Sequence, residues 1–280
     1  MSDSDRAEPV FAFDEVPGGR GPVMLMIHGM LSSRLQWADN VAALLPWVRP
    51  VRLELWGHGQ SPSPADDSCY SVAALVDAID AVRAKSGAER VVLCTQSFGA
   101  GLGFHYCLAH PQRVIAHIFT NSISALVDPV SFDRERNRHE RIALVQDLGA
   151  AALARMPFHP RHARRLDPAL RERLIEIADG TDPEAFVRLT AHTRPDLSVG
   201  DRLHELQCPT LLVNGRWEKR FQPLRDRASE ALPGLRVVDL DGGHAVNMEC
   251  AAAFNEAVVD FLASLPRTDF EPSDLAVAGR

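Results

Sequence analysis

Ser97 stands in a setting that could activate a hydroxyl. It follows the apolar run Val91-Val92-Leu93-Cys94-Thr95-Gln96 and precedes Phe98-Gly99-Ala100-Gly101, which reads as a strand, one hydroxyl, and small residues opening a helix. A serine on such a turn is held in a strained backbone conformation that pushes its side chain out at the end of the sheet, and its neighbours two residues away must be small. Gly99 meets that need on one side. On the other, Thr95 stands where glycine is usual, so the pattern is T-x-S-x-G. A hydroxyl is a weak nucleophile at neutral pH and needs a base within hydrogen-bond reach, itself oriented by a carboxylate. The acid and then the histidine are expected later in the chain. Asp241-Gly242-Gly243-His244 comes after the last apolar run, Leu235 to Leu240, and makes His244 the expected base. Leu211-Leu212-Val213-Asn214-Gly215-Arg216-Trp217-Glu218 supplies a strand, a turn and a carboxylate. Glu218 is the expected acid, with Asp128, after the preceding strand, as its rival.

Acyl transfer to such a serine also needs two backbone N–H donors for the developing oxyanion, each worth about 2.7 to 4 kcal/mol in a well-studied protease. Phe98, directly after the nucleophile, is expected to give one. Met30, in the turn His28-Gly29-Met30 after an earlier strand, is expected to give the other. Trp37, Phe132 and Trp217 are candidates to line an apolar substrate pocket. Other chemistry-bearing residues have structural readings. His28 and His58 fall in turns and read as hydrogen-bonding residues there. Cys94 reads as a buried thiol on a central strand. Arg134, Arg136, Arg138 and Arg141 alternate with Asp133, Glu135 and Glu140, the pattern of a solvated helix face, although arginine can also clamp a carboxylate. No metal-ligand spacing occurs among the histidines and cysteines, and no metal or organic cofactor is expected.

The elements that must position these residues are set by the apolar pattern. Runs at Val23 to His28, Val48 to Leu55, Val91 to Gln96, Val114 to Asn121, Leu211 to Asn214 and Leu235 to Asp239 read as strands, with a weaker edge near Val10 to Phe13. Helical periodicity lies between them: Leu75, Ile79 and Val82 share one face, as do Phe254, Val258, Phe261 and Leu262. Such alternation predicts an α/β fold, a mostly parallel sheet with helices on both faces. It breaks between Ile123 and Gln207, where helices are expected at Ser131 to Arg155, Pro168 to Ala178 and Pro183 to His192, the last two opened by Asp-Pro. The expected division is therefore a core of residues 1–122 and 208–280, with 123–207 inserted as a helical lid. The ends, Met1 to Pro9 and Arg267 to Arg280, read as poorly ordered.

The chain of 280 residues suits one large α/β domain. A formal net charge of −7 argues against a general affinity for nucleic acid. No apolar run spans a bilayer, and the start lacks the order of a signal peptide. Five scattered cysteines suit free thiols. These features predict a cytoplasmic protein acting on a small molecule, without nucleic acid or membrane partners; they leave the oligomeric state open.

Taken in order and spacing, His28-Gly29, the turn Glu54-Leu55-Trp56-Gly57-His58-Gly59-Gln60-Ser61, the Ser97 elbow, the Glu218 turn and Asp241-Gly242-Gly243-His244 with Glu249 behind it resemble the capped α/β-hydrolase superfamily along nearly the whole chain. The resemblance implies a serine-type member among esterases, lactonases, thioesterases and carbon–carbon bond hydrolases. Dehalogenases and epoxide hydrolases are disfavoured, because Ser97 holds the place of their aspartate. The expected reaction is cleavage of an ester-like bond in a small to medium apolar substrate through an acyl-enzyme. Acyl transfer by the same residues and a non-catalytic ligand-binding role are the alternatives.

Overall fold

The computed structural model describes residues 10–128 and 132–266, apart from the side chains of residues 132–134. The two chain ends and the Phe132 side chain therefore lie outside the described residues. Seven strands form one sheet: β1 (Phe13–Glu15), β2 (Val23–Ile27), β3 (Arg49–Leu53), β4 (Val91–Thr95), β5 (Val114–Thr120), β6 (Thr210–Gly215) and β7 (Leu235–Leu240). Their spatial order is β1-β3-β2-β4-β5-β6-β7. Only β1 runs antiparallel to its neighbour, with Phe13 opposite Leu53. The predicted edge is thus a real strand, displaced by a few residues from Val10 to Phe13.

The helices are α1 (Ala38–Leu44), α2 (Val72–Lys85), α3 (Phe98–Ala109), α4 (Ile123–Leu126), α5 (Phe132–Leu148), α6 (Ala150–Leu153), α7 (Pro168–Asp179), α8 (Pro183–Arg188), α9 (Gln222–Ala231), α10 (Val246–Glu249) and α11 (Ala251–Ser264). Period-two alternation sorts each buried strand between the two faces of the sheet. Val23, Leu25 and Ile27 of β2 join Leu75, Ile79 and Val82 of α2 and Leu102 of α3 on one face. Met24 and Met26 of β2 meet Leu44 of α1 and Phe254, Val258 and Phe261 of α11 on the other. Each such aliphatic or aromatic side chain stabilises the fold by about 1.5 to 3 kcal/mol when fully buried. Strands buried on both faces are apolar throughout, which is why β2 and β4 read as unbroken runs.

Trp37 belongs to this packing. It is fully buried and tilted against Phe254 with ring centroids 6.5 Å apart. Its place is the core beneath the sheet, which corrects the expectation that it lines a pocket.

Between β5 and β6 the described chain contains no strand. The expected helix from Ser131 to Arg155 is two helices, α5 and α6, because Gly149 at φ 56° breaks it. The two Asp-Pro starts cap α7 and α8 as their chemistry predicts: Asp167 accepts from the Leu170 N–H at 3.0 Å, and Asp182 from the Glu184 N–H at 2.8 Å. These helices enclose a separate apolar cluster, with Val145, Ala152, Leu153, Met156 and Phe186 around Leu31 and Met30 of the loop after β2. Among the described residues no helix is long and apolar enough to cross a membrane.

Candidate active site

The strand β4 delivers Ser97 to the end of the sheet with φ 53° and ψ −116°. Ser97 and Leu31 are the described non-glycine residues with positive φ, and such strain persists only where surroundings over-determine it. The surroundings do so here. The Ser122 hydroxyl donates to the Ser97 carbonyl at 2.5 Å, and the Ala100 N–H donates to it at 3.0 Å. A Cβ at Gly99 would stand 2.6 Å from the carbonyl oxygens of both Ile27 and His28, so only glycine lets α3 start this close to β2.

Thr95, the departure from the usual elbow pattern, is accommodated from the neighbouring strand and helix. Its hydroxyl lies 2.8 Å from His117 Nε2 and donates to the Ile118 carbonyl at 3.3 Å. Gly103 supplies the space, since a Cβ there would meet His117 Nε2 at 2.7 Å and Thr95 Cγ2 at 2.8 Å. Threonine at the strand end thus comes with a glycine on the helix above it.

His244 follows β7 in a loop that presents its imidazole to the serine. His244 Nε2 lies 3.0 Å from Ser97 Oγ, and His244 Nδ1 lies 3.1 and 3.0 Å from the two Glu218 carboxylate oxygens. His244 Nδ1 faces the Glu218 carboxylate, so that position is held by Glu218 and not by Asp128. Packing around the imidazole opposes its charged form, but the Glu218 bond and charge, with Glu249 adding to them, raise its pKa above the ordinary 6.5. Burial likewise opposes the Glu218 carboxylate. The bond and charge of His244, and a contact with Asn121, outweigh it and hold the carboxyl below its ordinary range.

Residues around this trio hold it in place, and of them Asn121 and Gln96 carry no role in the sequence reading. Asn121, at the end of β5, clamps the acid strand: its side chain donates to the Gly215 carbonyl at 2.9 Å and accepts from the Gly215 N–H at 2.8 Å. Glu249 grips the histidine loop on both sides of His244, accepting from the Gly243 N–H at 2.8 Å and the Ala245 N–H at 3.4 Å. Gln96 Nε2 donates to the His244 carbonyl at 3.3 Å. Arg165, from the helical segment, lies 4.8 Å over the Trp217 ring and 4.0 Å from Glu249. Trp217 is 44% exposed beneath it.

Neither the Met30 nor the Phe98 N–H is donated to a protein acceptor among the described residues. Both flank the serine side of the site. Their neighbours are committed: the Gly29 N–H donates to Gln36 Oε1 at 3.3 Å and the Leu31 N–H to His58 Nε2 at 3.1 Å. His58 Nδ1 pairs with the Trp56 carbonyl at 2.9 Å, while His28 links the Gly29 carbonyl at 2.7 Å to the Leu55 N–H at 3.1 Å. The two histidines act on the backbone, fixing the turn that carries Met30. Gln36 connects further, because its carbonyl accepts from Asn247 Nδ2 at 3.0 Å, and Asn40 Nδ2 donates to the Asn247 carbonyl at 2.9 Å. The Met30 turn and the helix following His244 thus share one buried amide network.

Among the described residues no group of three or more His, Cys, Asp or Glu side chains is placed to hold a metal ion. Cys94 is buried and its thiol is pushed up by burial.

Residues 22–251 match the family model described as the alpha/beta hydrolase fold. The carboxylesterase YbfK of Bacillus subtilis (strain 168) is 24% identical over 247 residues, which cover 86% of this chain and 80% of the relative. Among solved structures, a thermophilic esterase from Thermogutta terrifontis superposes with a TM-score of 0.79 at 22% identity, covering 93% of this chain and 94% of the other. The enol-lactonase from Burkholderia xenovorans LB400 gives 0.76 at 22% identity, covering 91% and 96%.

Proposed function

The chain belongs to the α/β-hydrolase fold family, and from that premise we propose that it cleaves an ester-like bond in a small or medium substrate through a covalent acyl intermediate on Ser97. The observation that carries this reading is the line Ser97 Oγ, His244 Nε2, His244 Nδ1, Glu218, with separations of 3.0 and 3.0 to 3.1 Å. His244 takes the proton as Ser97 Oγ attacks the carbonyl and returns it to the leaving group. Glu218 keeps the imidazole in the tautomer that can accept at Nε2 and stabilises the imidazolium. The Met30 and Phe98 N–H groups, uncommitted among the described residues, bind the oxyanion. Water activated by His244 then releases the acid. The helices of residues 123–207 serve as the lid, setting substrate size and excluding bulk water.

A serine-directed phosphonate tests the mechanism. Mass mapping is expected to find the adduct on Ser97 alone, with labelling slowed about 10³-fold or more in His244→Ala, because only an activated hydroxyl attacks phosphorus at a useful rate. Absence of any adduct on Ser97 would leave the non-catalytic reading. Product analysis with an added acceptor alcohol separates hydrolysis, which gives acid, from acyl transfer, which gives a new ester.

A further inference from the structure

The charge pattern of α5 suggests a solvated face, and the structure divides its arginines. Arg136 lies 3.7 Å from Glu140 across an exposed turn, an ordinary surface pair. Arg138 and Arg141, three residues apart and so neighbours on the helix surface, behave differently. Arg138 Nε and Arg141 Nη1 are buried with no hydrogen-bond partner. Arg138 Nη2 lies 3.4 Å from His139 Nε2 and 3.8 Å from Glu135, and neither contact reaches its Nε. For Arg141 no carboxylate stands within ion-pairing reach among the described residues.

The next turn of α5 gives the direction of this face. Leu144 and Val145, one turn beyond Arg141, pack in the cluster that holds Leu31 and Met30. The Arg141 guanidinium lies 5.4 Å over the ring of Phe158, which packs on the same cluster. Arg141 therefore faces inward, towards the loop that carries Met30. Arg220, two residues after Glu218 in the chain, adds its charge to burial in pushing the Arg141 pKa down. The two positive charges thus oppose each other, and the Arg141 guanidinium, packed on the cluster that holds Met30, has no carboxylate in ion-pairing reach among the described residues. A buried guanidinium N–H without an acceptor, beside a second positive charge, is unfavourable unless a ligand supplies the missing acceptor. Its planar fork fits a carboxylate through two parallel bonds.

We propose that Arg141, supported by Arg138, is the recognition subsite for a carboxylate on the substrate, so that the ester-like bond attacked by Ser97 belongs to an acyl group or alcohol that also carries a negative charge. This rests on the reading of Ser97, His244 and Glu218 as the reacting trio and narrows its substrate class from neutral apolar esters to carboxylated ones.

The test compares p-nitrophenyl hemisuccinate and hemiglutarate with neutral p-nitrophenyl butyrate. The wild type is expected to favour one of the half-esters in kcat/KM, and Arg141→Met to lower the ratio of half-ester to neutral ester by about 10- to 100-fold, the loss of a charge-assisted bond. Arg141→Lys, which keeps the charge without the fork, is expected to recover part of the ratio. Arg173→Ala, on the exposed side of α7, is expected to leave both rates unchanged. A wild type without preference for either half-ester, or an Arg141→Met variant that slows all three esters by one factor, overturns the proposal. Calorimetry with monomethyl glutarate on Ser97→Ala reads the subsite without turnover: binding lost in the Ser97→Ala/Arg141→Met double variant supports it, and no binding to Ser97→Ala counts against it. Failure of the Ser97 mechanism alone would abolish phosphonate labelling but leave this binding intact.

Discussion

Ser97→Ala is expected to lower kcat/KM on any ester the protein cleaves by at least about 10⁴-fold, with the midpoint of thermal unfolding close to that of the wild type. The size of the loss comes from the pairing at Ser97 Oγ, which lies 3.0 Å from His244 Nε2 and has no substitute hydroxyl in line with that nitrogen among the described residues. The small effect on stability comes from the backbone. Alanine at φ 53° is strained much as serine is, and the bonds that hold the elbow run to the residue 97 carbonyl rather than to its side chain. A progress curve and a melting curve on the same preparation check both halves. A variant that keeps more than about a tenth of wild-type activity removes the nucleophile, since the donors and binding contacts left behind account for only a small residue of the rate.

Glu218→Gln is expected to cost about 10⁴-fold in kcat and to move the acid limb of the pH profile to lower pH. His244 must be neutral to accept the serine proton, so activity falls as pH drops through its pKa. In the wild type that limb lies above pH 6.5, because the Glu218 bond and charge, with Glu249, outweigh the packing that disfavours the imidazolium. The amide cannot supply the charge, and packing then prevails. The sign for stability is the reverse of the sign for rate: the raised pKa of His244 stabilises the fold below pH 6.5, and this contribution is lost as pH rises through the folded value. A limb unmoved by Glu218→Gln would show that Glu218 does not govern the imidazole.

The sheet is legible in the sequence because its central strands are buried on both faces and so read as unbroken apolar runs, as in Val91-Val92-Leu93-Cys94-Thr95. The Ser97, Glu218 and His244 geometry is legible for a related reason: each residue comes after a strand end, and strand ends are the best-marked points of such a chain. Trp37 misleads because an aromatic ring near a loop looks the same in sequence whether it faces a cavity or, as here, Phe254. Arg141 is hidden by its own neighbours, since interspersed glutamates mark a helix as charged without saying which arginines they reach. The amide network from Gln36 through Asn40 to Asn247 joins positions 207 and 211 residues apart, and no local pattern encodes such a closure. Gly103, which makes room for Thr95 and His117, falls in the same class.

Three buried imidazoles that play no part in proton transfer work against the fold in acid. Burial lowers the pKa of His28 to about 3, with His58 adding to the effect, that of His58 to about 4, and that of His117 to about 3. Once unfolded, each would regain an ordinary value near 6.5, so opening the chain in mildly acidic solution takes up close to three protons. By linkage, that uptake removes about 4 kcal/mol of stability per pH unit between roughly pH 6 and 4.5, a large fraction of the roughly 5 to 15 kcal/mol typical of a domain. Acidification is therefore expected to produce two separable losses in enzyme assays: a reversible one as His244 gains its proton, and at lower pH a collapse of the fold that neutralising the sample need not undo. Jumps back to neutral pH after incubation at each acidic value would distinguish them.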